Sequence, residues 1–327
     1  YKYIGNENWE HELNLTSDNG VLYLENKNLF YSDRYGKELR VYDLNDLNDT
    51  DNSELIVDYD AQSLPNKIMD ISSDGNKLIY STTNEQAGVD SNNTKDIIIL
   101  EKENNAWVGK ASFSSEENNF GYSVSIYNDY AFATGKPADY DDGLVIYKRS
   151  IDGNGNVSWT QVQDGENGIW INFNNNTINS SQNTTRCLSM HGNYGVALTN
   201  NNSGSIQLLK LENDVWIEQQ LVIISDPNDN STMRINTVSM NGDYVIGGNG
   251  DWYDNNNNIS NAGIIFIYKR NNSNDTWELY YTEKGTEEDG HFGVSVSIDS
   301  KRAIVGSARK TYIIDFLPES EPEPEPE

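Results

Sequence analysis

Five tryptophans, Trp9, Trp107, Trp159, Trp216 and Trp277, set the rhythm of this chain. The last four are spaced 52, 57 and 61 residues apart, and the first gap, 98, is close to two such periods. Each of the last four follows a strand-like apolar run and a polar turn: IIILEKENNAW, VIYKRSIDGNGNVSW, LLKLENDVW and IFIYKRNNSNDTW. A unit of about 50 residues is one supersecondary element that must stack on copies of itself to bury its faces.

Aligned on the tryptophans, each unit offers four strand-like runs. The first is short and made of small residues, as in IMDIS at 68–72, YSVSI at 122–126, CLSMH at 187–191, TVSMN at 237–241 and VSVSI at 294–298. Tight turns such as YNDY, HGNY and NGDY follow, with the Asn, Asp and Gly that accept positive φ. The second run is apolar, a long polar loop comes next, and the third run is the most hydrophobic. The fourth run opens with Trp, except in the first unit, where ELIVDYD at 54–60 takes its place.

Six first, second and third runs can be counted. The sixth unit ends at TYIIDF without a fourth run, and WEHELNLT at 9–16 is a fourth run without a unit. A ring closed by pairing the two would leave no exposed sheet edge. The expected fold is therefore all-β: a six-bladed β-propeller of four-stranded antiparallel blades over 1–317, with the Trp9 segment beside Thr311–Phe316. The alternative is seven blades, with Tyr1–Ile4 ending the third strand of a blade that lies upstream. Residues 318–327 form a Pro/Glu tail or stalk, for which alternating Pro and like charge favour an extended chain.

Composition narrows the function. The formal net charge is −28. Such a surface repels phosphate backbones, which argues against nucleic acid as a partner. No apolar run approaches the length of a membrane-spanning helix, so no membrane insertion is expected. Cys187 is the only cysteine, which rules out an intrachain disulfide, and its setting in RCLSMH reads as core. The chain starts at Tyr1 without Met, consistent with a processed leader or a fragment.

Asparagine is abundant, at 46 residues. Twelve stand in Asn-X-Ser/Thr acceptors: Asn14, Asn48, Asn92, Asn156, Asn175, Asn179, Asn183, Asn201, Asn230, Asn258, Asn271 and Asn274. Nearly all fall in polar loops, where a glycan is tolerated.

The segment FGYSVSIYNDYAFATGKPADYDDGLVIYKRS at 120–150 resembles an FG-GAP repeat, the propeller unit of integrin α-subunits and of microbial, algal and viral surface proteins. Phe120-Gly121 matches the FG, and Gly135-Lys136-Pro137 matches GAP with Lys for Ala. The sixth unit is similar, with Phe292-Gly293 and Gly306-Ser307-Ala308. The other four units keep the strand pattern without these words. In this reading the glycine after Phe permits close backbone approach. The resemblance implies an extracellular or surface location. Repeats of this type often carry an Asp-X-Asp-X-Asp-Gly calcium loop, and no unit here has it intact.

Calcium is therefore not a required cofactor. If it binds, the best local cluster is Asp139, Asp141 and Asp142 in ADYDDG. Asp152, Asn154 and Asn156 have calcium-loop spacing, but Val157 stands where the turn glycine belongs. Asp251 and Asp254, with Asn255 to Asn258, are a third candidate; the competing reading of all three is a solvated acidic turn. His11, His191 and His291 occupy different places in the repeat, which points to structural roles rather than a shared metal. No Ser/His/Asp order, HExxH, P-loop or dinucleotide fingerprint appears.

The expectation is a non-enzymatic extracellular structural or adhesive propeller, a surface or filament component whose partners are other protein subunits or glycans and which can self-assemble. Loops 82–95, 164–184 and 249–262 are its expected contact regions. Two alternatives stand beside it. One is a lectin-like module in which Trp170, Trp252 and Tyr253 stack on sugars. The other is a carbohydrate-active enzyme with carboxylates converging in a funnel.

Overall fold

A computed structural model describes residues 66–84, 95–116, 120–135, 143–162, 187–199, 205–299 and 301–316, together with strands Lys2–Gly5, Asn8–Glu10, Val21–Glu25, Asn28–Ser32, Glu38–Asp43 and Ser53–Asp58. Strands and turns account for the described residues, and no helix occurs among them, so none is long and apolar enough to cross a membrane.

Five antiparallel sheets of four strands follow one another along the chain. The first is Val21–Glu25, Asn28–Ser32, Glu38–Asp43 and Ser53–Asp58, and the second is Asn66–Ser73, Lys77–Asn84, Lys95–Glu103 and Ala106–Ser115. The third is Val124–Tyr127, Tyr130–Gly135, Gly143–Ile151 and Val157–Val162. The fourth is Leu188–His191, Tyr194–Thr199, Ser205–Glu212 and Val215–Ile223, and the fifth is Thr237–Asn241, Tyr244–Asn249, Ile264–Asn271 and Thr276–Lys284. A sixth sheet has three strands, Ser295–Ile298, Arg302–Gly306 and Thr311–Asp315. All six match the runs read from the sequence. The chain divides into two compact units, Tyr1–Trp170 with the first three sheets and Ile171–Glu327 with the last three.

The amino-terminal segment departs from expectation. Asn8–Glu10 pairs with Lys2–Gly5, and Trp9 lies opposite Tyr3. The described ladders therefore do not include the pairing expected between Trp9 and Thr311–Phe316. The reason lies in the register. Trp107 stands opposite Lys102, Trp159 opposite Arg149, Trp216 opposite Leu211 and Trp277 opposite Arg270. Each of these tryptophans opens a fourth strand hairpinned to its own third strand, and Trp9 does the same with Lys2–Gly5.

Hairpin turns are set by backbone preference. Asn104 and Asn105 have φ of 50° and 66°, and Asn213 and Asp214 have 50° and 67°, so both two-residue turns before Trp107 and Trp216 take the mirror-image form that suits strand twist.

Sheets within a unit are tied by side chains as well as by apolar packing. On the first strand of the second sheet Asp70 and Ser72, and just past its end Asp74, stand at every second residue and accept N–H groups of the third sheet. Asp70 Oδ2 accepts from Val124 N at 2.8 Å and Ser123 Oγ at 3.0 Å. Ser72 Oγ accepts from Ile126 N at 3.2 Å, and Asp74 Oδ2 accepts from Asn128 N at 2.9 Å. The same link recurs in the other unit, where Ser189 Oγ accepts from Met240 N at 3.0 Å. Ser72 and Ser189 are equivalent, because they pair with Ile79 and Val196 at the same hairpin position.

The tryptophans form a second tie. Trp159 Nε1 donates to Glu101 of the preceding sheet at 2.8 Å, and Trp277 Nε1 donates to Gln219 of the preceding sheet at 3.0 Å. A buried indole usually finds a partner for its N–H, and Trp159 and Trp277 each have one on the preceding sheet. Trp107 and Trp277 also meet Phe30 and Tyr194 of the preceding sheets edge-on, both at 5.9 Å between ring centres.

Both Phe-Gly pairs have the same role. Phe120 and Phe292 are buried, and Gly121 and Gly293 have φ of +66° and +88°. A Cβ on Gly121 would lie 2.9 Å from Ser81 Cβ, and one on Gly293 would lie 2.7 Å from Ile264 O. Glycine is required there for conformation and for close approach to the preceding sheet.

Candidate functional site

The most elaborate described loops lie in the fifth repeat and flank the strand Tyr244–Asn249. A bridge between Ser225 and Thr232 closes a small loop on one side, and a bridge between Asp254 and Ile259 closes another on the other side. The indole of Trp252 joins them, donating to Asp226 Oδ1 at 3.1 Å, with Lys284 Nζ lying 5.0 Å from its ring centre. Trp252 is only 3% exposed. This corrects its expected role as a sugar-stacking loop aromatic: a polar loop sequence surrounds it, but Asp226 and Lys284 give it a polar and cationic lid. Tyr253 does face solvent, at 40% exposure. Its carbonyl accepts from Asn228 Nδ2 at 2.8 Å and its hydroxyl donates to Asn258 Oδ1 at 2.5 Å, so the ring is held in place. Trp170 lies outside the described residues, as do loop 164–184 and residues 85–94.

Acidic residues in these loops build turns. Asp254 Oδ1 accepts from Asn256 N at 3.0 Å and Asn257 N at 3.3 Å, and Oδ2 accepts from Asn257 Nδ2 at 2.9 Å. The Asn257 side-chain bond, with the backbone bonds, outweighs desolvation and holds this carboxyl below its ordinary range. Asp152 behaves alike: Oδ1 accepts from Asn154 N at 2.8 Å and Asn156 N at 2.9 Å, and Oδ2 accepts from Asn156 Nδ2 at 2.8 Å. Its carboxyl is lowered first by the Asn156 side chain. Both arrangements are Asx turns, in which each carboxylate accepts three N–H groups and so closes its own loop. Asp139, Asp141 and Asp142 lie outside the described residues. Among the described residues no group of three or more His, Cys, Asp and Glu side chains could hold a metal.

The histidines stay apart from one another in role. His191 is half-buried in the inner hairpin, and desolvation lowers its pKa. His291 Nδ1 lies 3.2 Å from Asp251 Oδ1, and Asp251 Oδ2 lies 3.5 Å from Asn236 Nδ2. Asn236 is buried, and its Oδ1 has no hydrogen-bond partner among the described residues. His11 is outside the described residues. Cys187 is fully buried, as expected.

Five acceptor asparagines fall on described residues. Asn156, Asn230, Asn258 and Asn274 are exposed, and Asn271 is half-buried. Asn14, Asn48, Asn92, Asn175, Asn179, Asn183 and Asn201 lie outside the described residues. Asp226, Asn228 and Lys284 were not legible as site residues. Asp226 and Lys284 hold Trp252 from 26 and 32 residues away, with no local motif to mark them.

Comparison with solved structures places the fold. Kluyveromyces lactis Hsv2 is similar over 93% of this chain and 77% of its own, with a TM-score of 0.51 at 11% identity. Apo AztD from Citrobacter koseri aligns over 91% of this chain and 69% of its own (TM-score 0.47, 9% identity). A functionally unknown protein from Desulfotomaculum acetoxidans DSM 771 aligns over 92% and 86% (TM-score 0.44, 11% identity). No protein-family model matches the chain, and no curated protein does. The successive four-stranded antiparallel sheets and the likeness to Hsv2 define a β-propeller-like fold at low sequence identity.

Proposed function

We propose that this chain is a non-enzymatic, extracellular structural or adhesive β-propeller of the FG-GAP type. The observation that carries this reading is how its polar groups are used. Buried carboxylates and hydroxyls tie one sheet to the next, and loop carboxylates close turns, so side chains that elsewhere do proton transfer are here committed to rigidity. What faces outward on that frame is suited to contact: Tyr253, and the acceptors Asn156, Asn230, Asn258 and Asn274. The equivalence of Phe120-Gly121 and Phe292-Gly293 supports the FG-GAP assignment. The Lys2–Gly5 and Asn8–Glu10 hairpin has the register of a third and fourth strand, which favours a seventh, partial repeat over six. A lectin-like role is a second reading and rests on Tyr253 and its fixed orientation.

The test is adhesion. Beads coated with the full chain should aggregate with one another or bind members of a glycan array. Beads that do neither, with the protein folded by circular dichroism, would remove the adhesive role.

A further inference from the structure

Asparagine followed by glycine is a reactive step. The glycine amide nitrogen can attack the side-chain carbonyl carbon of the asparagine, because glycine has no Cβ to hinder the approach. Three such steps fall on described residues: Asn154-Gly155, Asn241-Gly242 and Asn249-Gly250. Reaction needs an asparagine side chain that can turn back on its own backbone, and the fold treats the three steps differently.

Asn249 is buried at the end of strand Tyr244–Asn249, where it pairs with Ile264 and its Oδ1 accepts from Asp251 N at 2.9 Å. Asn241 is half-buried at the end of strand Thr237–Asn241, where it pairs with Tyr244. A ladder residue keeps its backbone extended and its side chain standing off the pleat, away from the next amide. The Asp152-Gly153 step beside Asn154 is tied in another way, by the three N–H groups that the Asp152 carboxylate accepts.

Asn154 has neither restraint. It is exposed, in the turn between strands Gly143–Ile151 and Val157–Val162, and outside either ladder. Its backbone N–H donates to Asp152 Oδ1, and its side chain makes no hydrogen bond among the described residues. Gly155 has φ of +83°, and a Cβ added at Gly153 or Gly155 would meet nothing within 4 Å, so there is room on both sides of the step. The attacking nitrogen has one restraint, because Gly155 N–H donates to Asp152 O at 3.0 Å. Both residues of that bond are exposed, and a solvent-exposed turn bond opens at little cost.

We propose that Asn154 is a site of spontaneous deamidation in the folded protein. A bond forms between Gly155 N and Asn154 Cγ, the Cγ–Nδ2 bond breaks, and the side-chain nitrogen leaves as ammonia with the proton from Gly155 N. Water then opens the cyclic imide. Opening at Cγ leaves an aspartate, and opening at the backbone carbonyl leaves an isoaspartate whose main chain runs through Cβ. Either product adds a negative charge beside Asp152. The isoaspartate also inserts a backbone carbon between the N–H groups of Asn154 and Asn156, both of which Asp152 Oδ1 accepts. The reaction therefore loosens the Asx turn that orders this hairpin, and with it the setting of the acceptor Asn156, whose Nδ2 donates to Asp152 Oδ2. The inference stands independently of the structural or adhesive reading.

The experiment incubates the folded full chain, and the same chain unfolded in guanidinium, at mildly alkaline pH in oxygen-18 water, followed by digestion and peptide mapping by mass spectrometry. In the folded chain Asn154 should convert, with oxygen-18 in the product and isoaspartate among the products. It should do so at least about tenfold faster than Asn241 and Asn249, which react only when their strands open. Unfolding should bring the three rates together, chiefly by raising those of Asn241 and Asn249. Asn154→Gln, whose longer side chain closes the ring poorly, should lose the conversion at this position, and aged wild type should exchange faster than aged Asn154→Gln at the Asn156 amide. A folded chain that keeps the Asn154 amide while the unfolded chain loses it overturns the proposal, because the turn then protects the step. So does conversion of Asn241 or Asn249 in the folded chain as fast as that of Asn154. Unchanged exchange at Asn156 after conversion overturns the loosening of the turn.

Discussion

Glu101 holds the second and third sheets together, and its removal has a calculable effect. It is 7% exposed and accepts from Arg149 Nε at 2.8 Å, Arg149 Nη2 at 2.9 Å and Trp159 Nε1 at 2.8 Å. Glu101→Gln keeps the volume but removes the charge and sets an amide NH₂ against N–H donors. Breaking a buried ion pair from one side costs about 3–5 kcal/mol. The Arg149 side chain is 16% exposed and keeps Asp129 at 3.6 Å, so a discounted loss of about 2–3 kcal/mol is expected. For a body of this size that is about 5–10 °C in melting temperature. The assay is urea and thermal unfolding followed by tryptophan fluorescence. A further Arg149→Met change should recover part of the loss, because the stranded charge is then gone.

pH supplies an independent readout of the same link. Desolvation works to raise the Glu101 carboxyl, but the Arg149 and Trp159 hydrogen bonds and the Arg149 charge together outweigh it and leave it below its ordinary 4.5. A depressed carboxyl contributes stability that is full above 4.5 and is lost as pH falls through the lower folded value. Wild type should lose stability on that acid limb, and Glu101→Gln should be flatter there. A single variant costing under about 0.5 kcal/mol, the range of a screened surface pair, with an unchanged acid limb, would refute the reasoning.

Three other outcomes follow from the geometry. Gly293→Ala forces a Cβ to 2.7 Å from Ile264 O at φ +88° and should cost about 2–4 kcal/mol in denaturant titrations; Gly153→Ala, with nothing within 4 Å, should stay within about 0.5 kcal/mol. Ser189→Ala leaves the buried Met240 N–H without its acceptor, which should cost about 1–3 kcal/mol and speed hydrogen exchange at Met240. Asp254→Ala should speed hydrogen exchange at Asn256 and Asn257, whose backbone N–H groups its carboxylate accepts.

Much of the strand order was legible because it is written in period-2 patterning and turn chemistry, which are local. YSVSI, YNDY and YAFATG specify the inner hairpin of the third sheet without help from elsewhere, and strands Val124–Tyr127 and Tyr130–Gly135 fall on them. The links between sheets were not local, yet they have a period of their own. Asp70 to Val124, Ser72 to Ile126 and Asp74 to Asn128 are each 54 residues apart, one repeat length. The hydroxyls and carboxylates of the inner strand make these links, because a strand that packs side by side with its copy leaves N–H groups needing acceptors one repeat away. Trp252 misled for the converse reason. Its neighbours in sequence are polar, and its partners Asp226 and Lys284 are set by loop closure, which no periodicity encodes.

Trp9 follows the same hairpin rule as the later repeat tryptophans. Every internal tryptophan is preceded by the apolar third strand it pairs with, so the tryptophan marks a hairpin and not a free strand. Tyr1–Ile4 is that apolar run for Trp9, and the Tyr3–Trp9 pairing is what the rule dictates.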